Sequence, residues 1–236
     1  MHYQFYIPNL TTKNTEIILP EEESHHIIHV LRMKTGETIR LTNGKGLRCN
    51  AVISDISHGK ATCTIENKEQ VSPEKPSIIL AAALIKESHF EWLLEKATEL
   101  GVSEIVPLIT KRVTHKRFRR QRLEKIIVSA MKQSQRCYLP VLHEPIPVHA
   151  FLTHLDAEEN PVCILFEKMK GAQPLSQVSL NRSDKMFLTI GPEGGFTDDE
   201  VDQFLKTGFI AASLGEYRLR AETAAITALA QIKLRL

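Results

Sequence analysis

The residues of this chain best suited to chemistry lie between Met186 and Thr223, where two glycine-bearing turns and a pair of arginines follow apolar runs. Gly191-Pro192-Glu193-Gly194-Gly195 breaks the β-prone run Met186 to Ile190 with residues that permit positive φ and close approach of backbone to a ligand. Gly215 breaks a second apolar run, Phe209 to Leu214, and Arg218 and Arg220 follow it. Two strand ends with exposed turns side by side are where open α/β sheets bind ligands. The turns are not generic nucleotide loops. They lack the G-x-x-x-x-G-K-[ST] lysine of a phosphate cradle and the G-x-G-x-x-G spacing of a dinucleotide fingerprint. Alone, GPEGG reads equally well as a tight strand-to-helix turn.

The elements that must hold these turns are legible on either side. Thr197 and Glu200 form a capping box, Asp198 and Asp199 sit where a helix dipole favours negative charge, and Gly208 supplies a stop. From Ala221 an alanine-rich helix runs to the C-terminus. Upstream, Ile78 to Leu84 is a continuous apolar run, the pattern of a strand buried on both faces of a parallel sheet. A helix carrying Phe90, Leu93, Leu94 and Ala97 on one face follows, then Gly101 as its cap and Ile105 to Ile109 as the next strand. Leu123, Ile126, Ile127 and Ala130 mark the inner face of another helix, and Val162 to Phe166 is a further buried strand. This alternation is the α/β pattern, and periodicity alone leads to an unknotted doubly wound sheet. Residues 1 to about 70 read instead as short strands, at Glu16 to Leu19, Thr38 to Thr42, Ala51 to Ile53 and Ala61 to Ile65, with a helix over Glu21 to Met33. That spacing suits a small barrel. Asn67 to Ser77, polar with two prolines, reads as a linker.

The chain has 236 residues, 42% hydrophobic and 25% charged, which suits one large domain or two small ones. No apolar run approaches a membrane span and the N-terminus lacks a signal-peptide layout, so the expected location is the cytoplasm. Cys49, Cys63, Cys137 and Cys163 form no C-x-x-C pair, and His25-His26 lacks partners at ligand spacing. Neither a metal nor a disulfide framework is expected, and the cysteines read as buried thiols. A net charge of +2 conceals segregation, for Lys111 to Lys125 holds eight Lys or Arg (Lys111, Arg112, Lys116, Arg117, Arg119, Arg120, Arg122, Lys125) against the single acid Glu124. Such a run is either a solvated helix face or a surface that meets phosphate, and its density favours the second.

Ile190 to Phe196, Leu214-Gly215 and Leu219-Arg220-Ala221-Glu222-Thr223-Ala224 together resemble the signatures of the SPOUT-class ribosomal RNA methyltransferases that methylate N3 of a uridine in 16S rRNA. Glu91-Trp92, Lys96 to Val102, Gln133-Ser134-x-Arg136, and His25-His26 with Val30 to Lys34 and Gly36 are similar to that family as well, in the same order. The resemblance implies a PUA-like RNA-binding β-barrel over 1–70, a linker over 71–77, and over 78–236 an α/β domain closed by a C-terminal trefoil knot, an exception to the rule against threaded loops. It implies a homodimer and S-adenosylmethionine held by the loops of the knot. The expected cofactor contacts are Leu165 and Phe166 at the end of one strand, Ile190, Gly191, Glu193, Gly194 and Gly195 in the first turn, and Leu214, Gly215, Leu219 and Thr223 in the second. For RNA the candidates are His25, Arg32 and Lys34 near the N-terminus, Lys96, the basic-run residues Arg112, Arg117, Arg119 and Arg120, and Gln133 and Arg136 beyond it.

Three departures from the family pattern stand out. Glu usually occupies the place of Lys132, Gly that of Gln135, and the loop after Gly215 usually reads x-Arg-aliphatic-Leu-Arg where this chain has Glu216-Tyr217-Arg218-Leu219-Arg220. Uridine N3 is protonated at neutral pH and is a poor nucleophile, so its methylation requires that charge on N3 and the flanking carbonyls be tolerated as the proton leaves. Arg220 can do this without a dedicated base. No metal is needed. Methylation of tRNA or another rRNA nucleotide, and a non-catalytic RNA-binding assembly factor, remain as alternatives, because cofactor motifs say little about the modified nucleotide.

Overall fold

The computed structural model describes residues 3–114, 117–155, 160–180 and 183–236. Two compact units partition the chain, and the division is not sequential. The chain up to Pro73 groups with Val128–Leu139, while Glu74–Ile127 groups with Pro140–Leu236.

The first unit is built on β1 (Gln4–Tyr6), β2 (Glu16–Ile18), β3 (Thr38–Thr42), β4 (Leu47–Ser57) and β5 (Lys60–Gln70), ordered β1-β3-β4-β5-β2 in one sheet. β1 runs parallel to β3 and the other pairs are antiparallel. Alternation sorts the faces: Leu47, Cys49, Ala51 and Ile53 of β4 point into a core with Phe5, Ile39, Leu41 and Cys63. Burial there pushes the Cys63 thiol up to about 12, so it remains neutral packing. Strands β4 and β5 are 11 residues each, well beyond the expected Ala51 to Ile53 and Ala61 to Ile65. Asn67 to Gln70, expected to begin a linker, continue β5 and pair with Asn50 to Leu47, since ladder hydrogen bonds do not depend on side-chain polarity. The three-residue β1 was too short to show alternation. The expected helix over Glu21 to Met33 is only α1 (Glu21–His25) in α form; His26–Leu31 winds as a π-helix and Arg32 ends it in the left-handed region at φ 54°. That wider winding breaks the 3.6-residue register, and Ile27 is the one residue it buries.

The second unit is a parallel sheet with its helices. Its elements are β6 (Ser77–Ala83), α2 (Glu87–Glu99), β7 (Glu104–Ile109), α3 (Arg120–Gln133), β8 (Val141–Leu142), β9 (Ile146–Pro147), α4 (Val148–Leu155), β10 (Val162–Phe166), β11 (Gln173–Pro174), β12 (Lys185–Ile190), α5 (Asp198–Lys206), β13 (Ile210–Ser213) and α6 (Ala221–Lys233). The sheet runs β11-β13-β10-β12-β6-β7-β8, with β9 also on β7. On one face Phe151, Phe187, Phe196, Phe204 and Phe209 form an edge-to-face and tilted ring cluster. Helices α2 and α6 bury Leu93, Leu94, Ala97, Ala225, Leu229 and Ile232. The capping box of α5 is present in full, Thr197 bonding to Glu200 N and Glu200 to Thr197 N.

Helix α3 starts in the second unit and ends in the first. Its last turn and the loop beyond carry two of the departures from the family pattern. Lys132 Nζ reaches both carboxylate oxygens of the buried Glu23, at 2.8 and 2.9 Å. Gln135 occupies the left-handed region at φ 56°, where glycine is the unstrained choice, and its side chain accepts from Arg40 Nη1 at 2.6 Å.

Candidate active site

Strand order sets the site. β10 lies between β12 and β13: Phe166 is in register with Ile190 on one side and with Ala212 on the other. The two glycine-bearing strand ends are therefore separated by a third, rather than side by side. A cleft of about 280 Å³ opens over the carboxyl ends of these three parallel strands, close to the lower end of the range of roughly 300–1,000 Å³ for small-molecule sites.

Phe166, Ile190, Leu214 and Leu219 supply apolar wall, and Gly191, Gly195 and Gly215 supply backbone without side chains. Gly195 sits at φ 70° and Gly215 at φ 144°, conformations that favour glycine. A Cβ at Gly215 would meet nothing within 4 Å, while one at Gly191 would stand 3.0 Å from the Phe196 ring. Three side chains fasten the first turn. Arg112 Nη1 donates to the carbonyls of Gly194 and Phe196 at 2.8 and 2.9 Å, the Glu167 carboxylate accepts from Phe196 N at 3.3 Å, and Arg218 Nη2 donates to Glu193 O at 2.9 Å. In the second loop, Lys168 Nζ donates to Glu216 O at 2.6 Å. Arg220 is the N-cap of α6; its carbonyl accepts from Ala224 N at 2.8 Å, while its guanidinium is exposed at the cleft and makes no hydrogen bond or ion pair among the described residues.

Of the residues the sequence singles out for this site, the structure gathers Phe166, Ile190, Gly191, Glu193, Gly195, Leu214, Gly215, Leu219 and Arg220 around the cleft. It leaves Leu165, Gly194 and Thr223 out of the lining. Leu165 alternates away from Phe166 into the phenylalanine core. Gly194 lacks the positive φ expected of it, and a Cβ there would make only ordinary contact with Arg112, at 3.5 Å. Thr223 is exposed on the first turn of α6. Sequence reading overlooked Glu167 and Lys168, which could have been found only by knowing that β10 stands between the two glycine turns.

Most cations of the basic run are paired with carboxylates of the same unit. Lys111 pairs with Asp199 at 2.9 Å, Arg119 with Glu87 at 3.0 Å, Arg120 with Glu144 at 2.7 Å and Glu124 at 2.9 Å, and Arg122 with Glu91. Arg117 stands 3.7 Å from Glu87, and Lys116 lies outside the described residues. Hydrogen bonding to Arg122 holds the Glu91 carboxyl below the usual carboxylate range, and bonding to Lys111 does the same for Asp199. Lys96 is likewise engaged, with Glu95 at 2.7 Å and Glu99 at 2.9 Å. In the first unit His25 is exposed against His29, ring centroids 4.7 Å apart, and the side chains of Arg32 and Lys34 are exposed. Gln133 is exposed at the end of α3, and the Arg136 carbonyl accepts from Gln4 Nε2 at 2.8 Å. Among the described residues no three His, Cys, Asp or Glu side chains are grouped to hold a metal ion, and no helix is long and apolar enough to cross a membrane.

Comparison with known proteins bears on this geometry. A family model described as an RNA methyltransferase domain matches residues 73–233, and one described as an RNA methyltransferase PUA domain matches residues 19–66. The chain is 34% identical to the ribosomal RNA small subunit methyltransferase E of Rickettsia conorii, over 98% of this chain and 95% of that one. Its fold is similar to the crystal structure of a ribosomal RNA small subunit methyltransferase E of Neisseria gonorrhoeae bound to S-adenosyl methionine, with TM-score 0.89 and 28% identity over 100% and 98% of the two chains. It is also similar to a methyltransferase of Legionella pneumophila in complex with the same molecule, with TM-score 0.88 and 30% identity over 100% and 98%.

Proposed function

The chain belongs to the RNA methyltransferase family, and from that premise we propose that it transfers the methyl group of S-adenosylmethionine to N3 of a uridine in 16S ribosomal RNA. One observation carries the reading: an exposed guanidinium, Arg220, without a protein partner among the described residues, at the mouth of a glycine-walled cleft. The residues present fit the cofactor. Apolar Phe166, Ile190 and Leu219 suit the faces of an adenine ring, and the open space beyond Gly215 is a cradle that a Cβ would fill.

The bound cofactor supplies an activated methyl group on a sulfonium. What the chain contributes is position and charge. Arg112, Glu167 and Arg218 hold the first turn before any ligand arrives, so its backbone needs no rearrangement on binding. Arg220 faces the place where charge spreads over N3 and the neighbouring carbonyl oxygens as the N3 proton leaves, and its fork can address two acceptors at once. The exposed Arg32 and Lys34 are further candidates for phosphate.

The same reading carries a trefoil knot through the cleft loops, closure of the five-stranded sheet into a PUA-like barrel, the domain division 1–70, 71–77 and 78–236, a homodimer and a cytoplasmic location. Mass mapping of methylated nucleosides in 16S rRNA from cells with and without the gene tests the reaction. Loss of one N3-methyluridine on deletion is expected; loss of a tRNA methylation instead would assign a different substrate. Calorimetric titration with S-adenosylmethionine separates an enzyme from a non-catalytic assembly factor, which would give no heat of binding.

A further inference from the structure

Tyr217 stands where this chain departs from the family pattern, and its side chain is 84% exposed at the rim of the cleft. An aromatic ring left in water is ordinarily a loop tip of no consequence. Here the backbone on both sides is tied down. The residue before it is held through Glu216 O by Lys168, and the residue after it is held through the guanidinium of Arg218 on Glu193 O. The ring therefore projects from a fixed base, with the free guanidinium of Arg220 three residues on.

We propose that Tyr217 is a stacking subsite for an unpaired nucleobase presented to the cleft, a contact that helps select single-stranded RNA. This rests on the RNA-methylation reading above. The cofactor is a poor occupant for the ring, because Phe166, Ile190 and Leu219 already provide apolar wall within the cleft, whereas Tyr217 lines its rim and is 84% open to solvent. An approaching strand is a good one. Every base has a π-face, stacking on an aromatic side chain tolerates any sequence, and a base must be unstacked from its neighbours to reach a catalytic cleft. Paired bases cannot offer that face, so the subsite discriminates against duplex.

The test uses a fluorescent single-stranded oligouridylate and the same strand annealed to oligoadenylate, titrated into wild type, Tyr217→Phe, Tyr217→Leu and Tyr217→Ala at one salt concentration. Tyr217→Ala is expected to lose about tenfold in affinity for the single strand, the size of one base–aromatic contact. Tyr217→Phe should stay within about twofold, Tyr217→Leu should fall between, and duplex binding should be unchanged by all three. Wild-type affinity in Tyr217→Ala overturns the subsite. So do equal losses in the Phe and Ala variants, a loss of S-adenosylmethionine affinity, or a change in the particle mass measured by light scattering, since each assigns the ring to another contact. Methylation of 16S rRNA by the wild-type protein is scored separately. Normal methylation with a silent Tyr217→Ala removes the subsite alone, whereas absent methylation with Tyr217-dependent single-strand binding removes the reaction assignment alone.

Discussion

Two parts of this protein are rich in arginine, and they are built to opposite ends. Along Lys111 to Lys125, Lys111, Arg119, Arg120 and Arg122 each meet a carboxylate brought in from elsewhere in the second unit. At the cleft, Arg112 and Arg218 hold backbone carbonyls, while Arg220 is left without a partner among the described residues. Cation density in a sequence is thus a poor guide to where positive charge is available. Asp199 and Glu91 are 88 and 31 residues away from the cations they neutralise. A surface guanidinium already paired with carboxylate must lose that contact before it meets phosphate, whereas an unpaired one loses only water.

The sharpest way to break the contrast is Arg220→Ala. Single-turnover methylation should fall on the order of 10²–10³-fold, the cost of removing one preorganised donor, with S-adenosylmethionine affinity unchanged. Arg220→Lys should lose less, keeping charge but not the fork. Without the cation the bound uridine should ionise less readily, so the Ala variant should recover part of its rate as pH rises, more steeply than wild type. A defect confined to cofactor affinity would move the catalytic role elsewhere.

A smaller effect separates the glycines of the first turn. Gly195→Val forces a branched residue to φ 70° with its Cβ 3.3 Å from the Glu167 carboxylate, and restoring that strained turn from a relaxed free state on binding costs about 1–3 kcal/mol, or roughly 5- to 150-fold in cofactor affinity. Gly194→Ala should bind the cofactor like wild type, since its Cβ meets only ordinary contact. Equal calorimetric affinities for the two variants would reduce GPEGG to a simple turn.

Neutralising the basic run is expected to do less than its composition suggests. If Arg117, Arg119 and Arg120 were all free for phosphate, their joint replacement by Gln would lower the log–log salt slope of RNA binding by about three. With their carboxylate partners in place the drop should be less than about one, and Arg32→Gln with Lys34→Gln should lower it more. A slope change near three in the triple variant would show that the ion pairs open when RNA binds.

The smallest effect expected is on stability. Glu91 has its carboxyl lowered by hydrogen bonding to Arg122, so the pair stabilises the fold above the ordinary carboxylate range and ceases to do so as pH falls through the lowered value. Urea midpoints of wild type and Arg122→Gln should differ slightly at neutral pH, and the difference should vanish in acid and in high salt. A difference that persists at low pH would mean that the Arg122 stem matters for packing rather than for charge.

Local chemistry was readable without coordinates wherever it depends on near neighbours. The capping box at Thr197 and Glu200, the stop at Gly208 and the buried strand at Val162 to Phe166 all follow from side chains a few residues apart, and all are present. So were most of the cleft residues, because glycine turns and Arg220 announce themselves by type. What the sequence alone could not determine depends on strand order and on long-range pairing. That β10 stands between β12 and β13 is decided by which apolar ladders pack together, and it adds Glu167 and Lys168 to the site. The left-handed backbone at Gln135, the π-helix after His25 and the carboxylates gathered around the basic run are likewise tertiary outcomes. No local pattern encodes them, since a contact across many residues depends on the summed packing of the whole unit rather than on the propensities of the segment that makes it.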